Sequence, residues 1–132
     1  MKYVVDTHAL LWFLQDDSRL GSNADLVLSD AGSQLVLPAI ALAEAAWIVD
    51  RGKTSIPSAR DVLTAIGRDP RFVIYPLTAL VVEKSLGLVE INEMHDRQIV
   101  ATALVLQDQG ESVSLLTLDQ NMTASGLINV IW

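Results

Sequence analysis

Residues 1–14 read MKYVVDTHALLWFL, and they place a carboxylate, Asp6, between two apolar runs. Tyr3, Val4 and Val5 favour an extended strand. The segment HALLWFLQ, which follows at once, has the apolar spacing of a short helix. The stretch therefore predicts a strand that passes directly into a helix, with an acidic residue at the junction.

The same alternation continues along the chain. Strand patterns occur in QLVLP, RFVIYP, SVSLLTLD and LINVIW, and helical patterns in NADLVLSDAG, AIALAEAAWIVDR, SARDVLTAIG, TALVVEKSLG and HDRQIVATALVLQDQG. Three of the helices are expected to close at Gly32, Gly52 and Gly87. Strands that alternate with helices imply βαβ units. We therefore expect one three-layer α/β/α domain over residues 1–132, with a mainly parallel central sheet.

Composition limits the possible classes of protein. No apolar run approaches the roughly 20 residues that a membrane span needs, and no signal-peptide pattern is present, so a cytoplasmic location is expected. The absence of cysteine excludes disulfides and thiolate chemistry. The net charge of −7 argues against holding nucleic acid by charge neutralisation, yet it suits a protein that gathers carboxylates around cations. Composition does not choose between these interpretations.

Four acidic residues stand at unusual places. Asp6 and Asp119 follow predicted strands, at the edge of an α/β sheet where ligands bind. Glu44 and Asp96 lie in helical patterns, on or beside the apolar face. Because burying an unpaired charge costs several kcal/mol, and only Arg97 adjoins any of the four, a cation is the simplest counter-charge.

Each acid also has a structural interpretation. Asp96 is suited to cap its helix, Asp6 and Asp119 to form turns, and Glu44 to pair with Arg51. The four together favour a shared site.

The donor set restricts the chemistry of such a site. Oxygen ligands without cysteine suit Mg²⁺ or Mn²⁺ rather than Zn²⁺. His8 and His95 lack zinc-pair spacing, and fit a helix start and part of a helix cap. No nucleophile elbow and no phosphate-binding loop occurs. The class of reaction that remains is metal-assisted chemistry on a phosphate ester.

Four segments then resemble one known family. VVDTHALLW carries Asp6, LPAIALAEAAWIVDRGK carries Glu44, MHDRQIVATAL carries Asp96, and LLTLDQNM carries Thr117 and Asp119. In this order and spacing they resemble the motifs of the PIN domain, and within it the VapC-type toxins of type II toxin–antitoxin pairs.

Two positions depart from the family pattern. Ala41 stands where serine is frequent, and Leu118 stands where a basic residue is frequent. Neither departure removes an acid, so both concern substrate contacts.

The resemblance implies a Mg²⁺-dependent endoribonuclease that acts on RNA. Asp6, Glu44 and Asp96 would organise the metal, with Asp119 completing the set. Thr7 and Thr117 are expected to position water or phosphate, and Arg97 to meet phosphate or tie down neighbouring acids.

The resemblance also implies a cognate VapB-type antitoxin, and an apolar helix face suggests a homodimer. The apolar side chains Trp12, Phe13 and Trp47 flank the predicted site and would offer the antitoxin a groove.

Several alternatives remain at this point. The same fold could serve a non-toxin nuclease in RNA processing, or an RNA-binding or scaffold module, although a scaffold predicts lost acids. An aspartyl phosphatase would need a second aspartate where His8 stands. A receiver-like phosphoacceptor would need a lysine after a late strand, and Lys2, Lys53 and Lys84 are not so placed.

Overall fold

A five-stranded parallel sheet forms the centre of the computed structural model, which describes residues 1–132. Its strands are β1 (Lys2–Val5), β2 (Gln34–Pro38), β3 (Phe72–Tyr75), β4 (Val113–Leu116) and β5 (Asn129–Ile131), in the spatial order β3-β2-β1-β4-β5. Every neighbouring pair is parallel, so the expected parallel sheet is confirmed.

Seven helices connect and flank these strands. They are α1 (Thr7–Leu14), α2 (Ser22–Ser29), α3 (Ala39–Asp50), α4 (Ala59–Arg68), α5 (Ala79–Leu86), α6 (Met94–Asp108) and α7 (Gln120–Ala124). Helix α5 packs against α6, while α3 contacts α1 and α4. None of them has the length and apolar character that crossing a membrane requires.

The core lies around the central strands. All four residues of β4 are buried, and so are Val4 and Val5 of β1. A strand covered by helices on both faces is apolar throughout rather than alternating, which explains the continuous runs YVV and SLL. Ile99 and Val100 of α6 are fully buried in the same core.

Some predicted boundaries are wrong. Helix α2 ends at Ser29 rather than Gly32, because the chain turns at Asp30, whose side chain accepts a hydrogen bond from the Gly32 N–H. Strand β4 ends at Leu116, and helix α7 follows within a segment where the sequence pattern predicts none. Gly52 does follow the end of α3, with a left-handed φ of 71°.

The strand order creates a site at one edge of the sheet. The chain leaves β1 toward β2 on one side, and β4 lies on the other side, so connections diverge around the carboxyl end of β1. Such a switch point opens a crevice in parallel α/β sheets. Crossover helices run back along the sheet, so their N-termini lie at this edge too.

Candidate active site

A cleft of about 470 Å³ lies at this edge, next to the carboxyl ends of the central strands. We call it the acid cleft, and it is lined by Asp6, Thr7, His8, Trp12, Glu44, Glu93, Asp96, Leu118 and Asp119. The four acids that the sequence singled out therefore share one cavity. Their distances in the chain reach 113 positions, so the strand order brings them together.

Asp6 is the most buried of the four, with 7% of its surface exposed. It caps α1, since its Oδ1 accepts a 2.7 Å hydrogen bond from the Thr7 N–H, and its Oδ2 accepts a 2.6 Å bond from the Thr117 hydroxyl. Burial raises the pKa of Asp6, and the two hydrogen bonds oppose this rise without cancelling it. The carboxyl is thus held rigidly at the floor of the acid cleft.

Glu44 enters the cleft from α3. Its Oε1 accepts a 3.1 Å hydrogen bond from the Thr7 hydroxyl, and its Oε2 lies 3.8 Å from His95 Nδ1. Burial raises the pKa of Glu44. The alternative pairing with Arg51 is wrong, because that guanidinium stacks 4.6 Å from the ring centroid of Trp47.

Asp96 lies in the first turn of α6, but it does not cap the helix. Glu93 does so, because its Oε2 accepts a 2.9 Å hydrogen bond from the Asp96 N–H. Burial, followed by repulsion from Asp119, Asp6, Glu93 and Glu44, raises the pKa of Asp96 to about 7. The carboxyl of Asp96 is therefore free of the capping role and faces the other acids.

Asp119 caps α7 and is tied to Asp6 through one hydroxyl. Its Oδ1 accepts a 2.8 Å hydrogen bond from the Met122 N–H, and its own N–H donates to Thr117 Oγ1 at 3.0 Å. Thr7 and Thr117 thus link the acids to one another. Their contact with water or phosphate remains a prediction.

The acids have no strong basic partner. No lysine or arginine nitrogen lies within 4 Å of the carboxylates of Asp6, Glu44, Asp96 or Asp119. Arg97 donates from Nε to the carbonyl oxygen of Ile91, and it does not line the cleft. The arrangement leaves the negative charge available to a cation.

Sequence reasoning missed a fifth acid, Glu93. Its Oε1 lies 2.7 Å from His95 Nδ1. Burial acts to raise the pKa of Glu93, but hydrogen bonds from the backbone N–H groups of His95 and Asp96, together with the His95 ring, lower it overall. Glu93 stands three residues before Asp96, which is the spacing of a capping interaction and was the available signal. Of the predicted flanking aromatic residues, Trp12 lines the cleft, whereas Phe13 and Trp47 do not.

The donor chemistry of the cleft fits a hard divalent cation, since it offers five carboxylates and no thiolate. As they stand, no three acidic or histidine side chains converge closely enough to hold one ion. Asp6, Glu44 and Asp119 each accept hydrogen bonds inside the protein. Binding an ion would thus require side-chain rotation at the cleft.

Fold and cleft together define an α/β protein that gathers acids at the carboxyl edge of a parallel sheet. The PIN domain family model matches residues 3–124. The chain belongs to the PIN domain family.

Solved structures share this fold across almost the whole chain. A toxin–antitoxin complex from Klebsiella pneumoniae aligns with a TM-score of 0.73 and 20% identity, covering 99% of this chain and 97% of that one. VapC20 of Mycobacterium tuberculosis, a toxin that cleaves the sarcin–ricin loop, aligns with a TM-score of 0.71 and 17% identity, covering 98% of each chain. VapBC2 from Rickettsia felis, in a structure with a DNA fragment from the VapBC2 promoter, aligns with a TM-score of 0.71 and 16% identity, covering 99% of this chain and 98% of that one. A comparison with curated proteins finds no significant match.

Proposed function

We propose that the protein is a Mg²⁺-dependent endoribonuclease that hydrolyses phosphodiester bonds in RNA. The observation that carries this proposal is that the four predicted acids line one cleft of a PIN fold, with no lysine or arginine nitrogen within 4 Å of their carboxylates. Buried like charges are unfavourable unless a cation or a proton offsets them. A site that retains this cost is typical of function rather than of structural stabilisation.

Asp6, Glu44, Asp96 and Asp119 would hold the ion, with Mn²⁺ able to replace Mg²⁺. When bound, a divalent ion supplies Lewis acidity toward a phosphoryl oxygen and lowers the pKa of water. The protein itself positions the acids. Thr117 donates a buried hydrogen bond to Asp6, and Thr7 joins Asp6 to Glu44, so these contacts place both carboxylates in the cleft before an ion binds.

The test is incubation of the purified protein with total RNA, with Mg²⁺ and with EDTA. We expect discrete cleavage products only with Mg²⁺, and none from Asp6→Asn at equal concentration. Glu90→Gln is a matched control, since Glu90 is exposed and forms no ion pair within 4 Å. Cleavage that survives EDTA, or equal cleavage by Asp6→Asn, would contradict the proposal.

Few basic residues are available to grip a long duplex, because the chain has 9 lysines and arginines against 16 acids. We infer that the enzyme recognises a structured loop rather than A-form helix, and that it binds this loop weakly and in a salt-sensitive way. VapC20, a toxin that cleaves the sarcin–ricin loop, shares this fold and supports this substrate class. Uniform degradation of all RNA would argue against it.

We further propose that the protein is the cytoplasmic toxin of a type II pair, restrained by a VapB-type antitoxin. The Klebsiella pneumoniae structure is a toxin–antitoxin complex and the Rickettsia felis structure is VapBC2, and both support the proposal through the shared fold. Apolar surface is available for partners, since Trp47 of α3 and Leu86 of α5 are exposed. A homodimer through an apolar helix face is part of the proposal.

Expression in a bacterium tests the toxin role. Wild-type protein should arrest growth, whereas Asp96→Asn at equal protein level should not. Co-expression of the neighbouring small reading frame should also relieve the arrest. Harmless expression of a protein that cleaves RNA in vitro would favour the alternative, a PIN nuclease in RNA processing. Light scattering of the purified protein tests the dimer.

A further inference from the structure

The acid cleft is not acidic throughout. His8, Trp12 and Leu118 line it, and we call these three residues the apolar wall. His8 is exposed in the first turn of α1, and its ring centroid lies 5.5 Å from that of Trp12. Leu118 is 44% exposed although it directly precedes Asp119. Leu118 therefore presents apolar surface beside the acids.

Trp12 of the apolar wall is held in place by Arg19 and Trp132. The Arg19 guanidinium lies 4.9 Å from the ring centroid of Trp12, and the Trp132 ring meets Trp12 edge-on at 5.8 Å. Trp132 is itself held, since its carbonyl oxygen accepts a 2.9 Å hydrogen bond from Asn23. Its backbone also passes so close to Gly21 that an added Cβ there would lie 2.6 Å from the Trp132 carbonyl carbon.

These contacts leave 9% of Trp12 exposed and hold its ring in one orientation. Binding of a ligand to the apolar wall would cost little conformational entropy, because preorganised side chains lose less freedom on binding. His8, which is exposed and has its ring centroid 5.5 Å from that of Trp12, supplies the accessible aromatic face.

We propose that the apolar wall binds a nucleobase of the RNA, next to the phosphate that lies at the acids. The inference rests on the proposed function, since it concerns the same substrate. A nucleotide has a charged phosphate and an apolar base face, and the same cleft is lined both by acids that suit a cation and by the apolar wall. Bases in unpaired RNA stack on aromatic side chains, histidine included.

The size of the cleft agrees with a ligand larger than an ion. At about 470 Å³ it falls in the range of about 300–1,000 Å³ that is typical of sites for small organic ligands. The three wall residues carry no group that distinguishes all four bases through their edges. The contact is therefore stacking, and it tolerates different bases.

Binding of small nucleotides tests the wall without cleavage. We would titrate the protein in Mg²⁺ with adenosine 5′-monophosphate and with ribose 5-phosphate, following the indole N–H signals by NMR. The monophosphate should bind about five- to ten-fold more tightly, the lower part of the effect expected for one stacked base. It should shift the Trp12 signal, which Trp12→Phe identifies.

Variants separate stacking from other roles of His8. His8→Ala should remove the preference for the base-bearing ligand, and His8→Phe should keep it. Leu118→Ala should weaken the preference by about two- to three-fold, whereas the matched control Leu26→Ala, which changes an exposed leucine of α2, should leave it unchanged. Equal affinity for both ligands in the wild type, or a His8→Phe variant as poor as His8→Ala, would overturn the inference.

Cleavage kinetics provide the second measurement. A short RNA that spans an observed cut is compared with versions carrying one abasic nucleotide on either side of that cut. One abasic position should raise KM about five- to ten-fold for the wild type and leave KM unchanged for His8→Ala. Cleavage without this base dependence would refute the wall and leave the nuclease standing. Base-dependent binding without any cleavage would support the wall and refute the nuclease.

Discussion

Replacing Asp96 by asparagine should stabilise the protein in the absence of metal. Burial and four neighbouring carboxylates raise the pKa of Asp96 to about 7, from an ordinary value of 3.8. One pKa unit corresponds to about 1.4 kcal/mol, so the full shift corresponds to about 4 kcal/mol. Because the side chain is only half-buried and solvent screens its charge, we expect about 1–2 kcal/mol.

The sign follows from proton binding. The folded protein holds the Asp96 proton to higher pH than the unfolded chain, so stability falls as pH rises from about 4 to about 7. Above that range the ionised carboxylate destabilises the fold by its full amount. Asparagine has no such charge, so the gain from Asp96→Asn should be largest at pH 8 and smaller at pH 5.

The assay is unfolding by urea, and by heat, in EDTA at both pH values. At pH 8 the melting temperature of Asp96→Asn should exceed that of the wild type by about 3–8 °C. Glu90→Gln also removes one negative charge, but from an exposed carboxylate, and it should change the melting temperature by less than about 1 °C. A variant that is no more stable than the wild type at pH 8, or an equal gain in Glu90→Gln, would refute the argument from clustered charge.

Three further predictions follow from contacts at the cleft. Mg²⁺ added to the EDTA-treated wild type should raise its melting temperature by mass action, and a shift of the same size in Asp6→Asn would contradict a shared metal site. Thr117→Val should lower the free energy of unfolding by about 1–3 kcal/mol in urea titrations, because it leaves a buried Asp6 oxygen without its 2.6 Å donor; unchanged stability would show that the hydroxyl is dispensable. Gly21→Ala should cost about 1–3 kcal/mol, because the new Cβ would meet the backbone of Trp132; a thermal scan that shows no loss would mean that the last residues shift freely.

The elements were largely predictable, because each depends on local spacing. QLVLP matches β2 residue for residue, and AIALAEAAWIVDR matches α3 to within one residue at its end. Helix α7 was missed because five residues are too few to show the helical period of apolar residues in the sequence. It forms where Asp119 caps it and where Met122 finds a place in the core.

The acids of the cleft were predictable for a related reason. A carboxylate beside an apolar run is conspicuous, as Asp6 and Glu44 are, and the resemblance to PIN motifs named the same residues. Glu93 was missed because it lies in a polar segment, where one more acid is not unusual. The direction of Arg97 was also unpredictable, since a long side chain next to Asp96 reaches away from it to the Ile91 carbonyl oxygen.

The sequence by itself determined the alternation of strands and helices, the parallel sheet and the identity of the four acids. These follow from residue spacing and from the rarity of charge in apolar runs. Only the tertiary structure decided what surrounds those acids. The order β3-β2-β1-β4-β5 sets Thr117 against Asp6 across 111 positions and brings Trp132 to Trp12. Such neighbours depend on which strands lie side by side. So does the raised pKa of Asp96, which burial causes first and repulsion from the surrounding carboxylates second. No local pattern encodes the order of the strands.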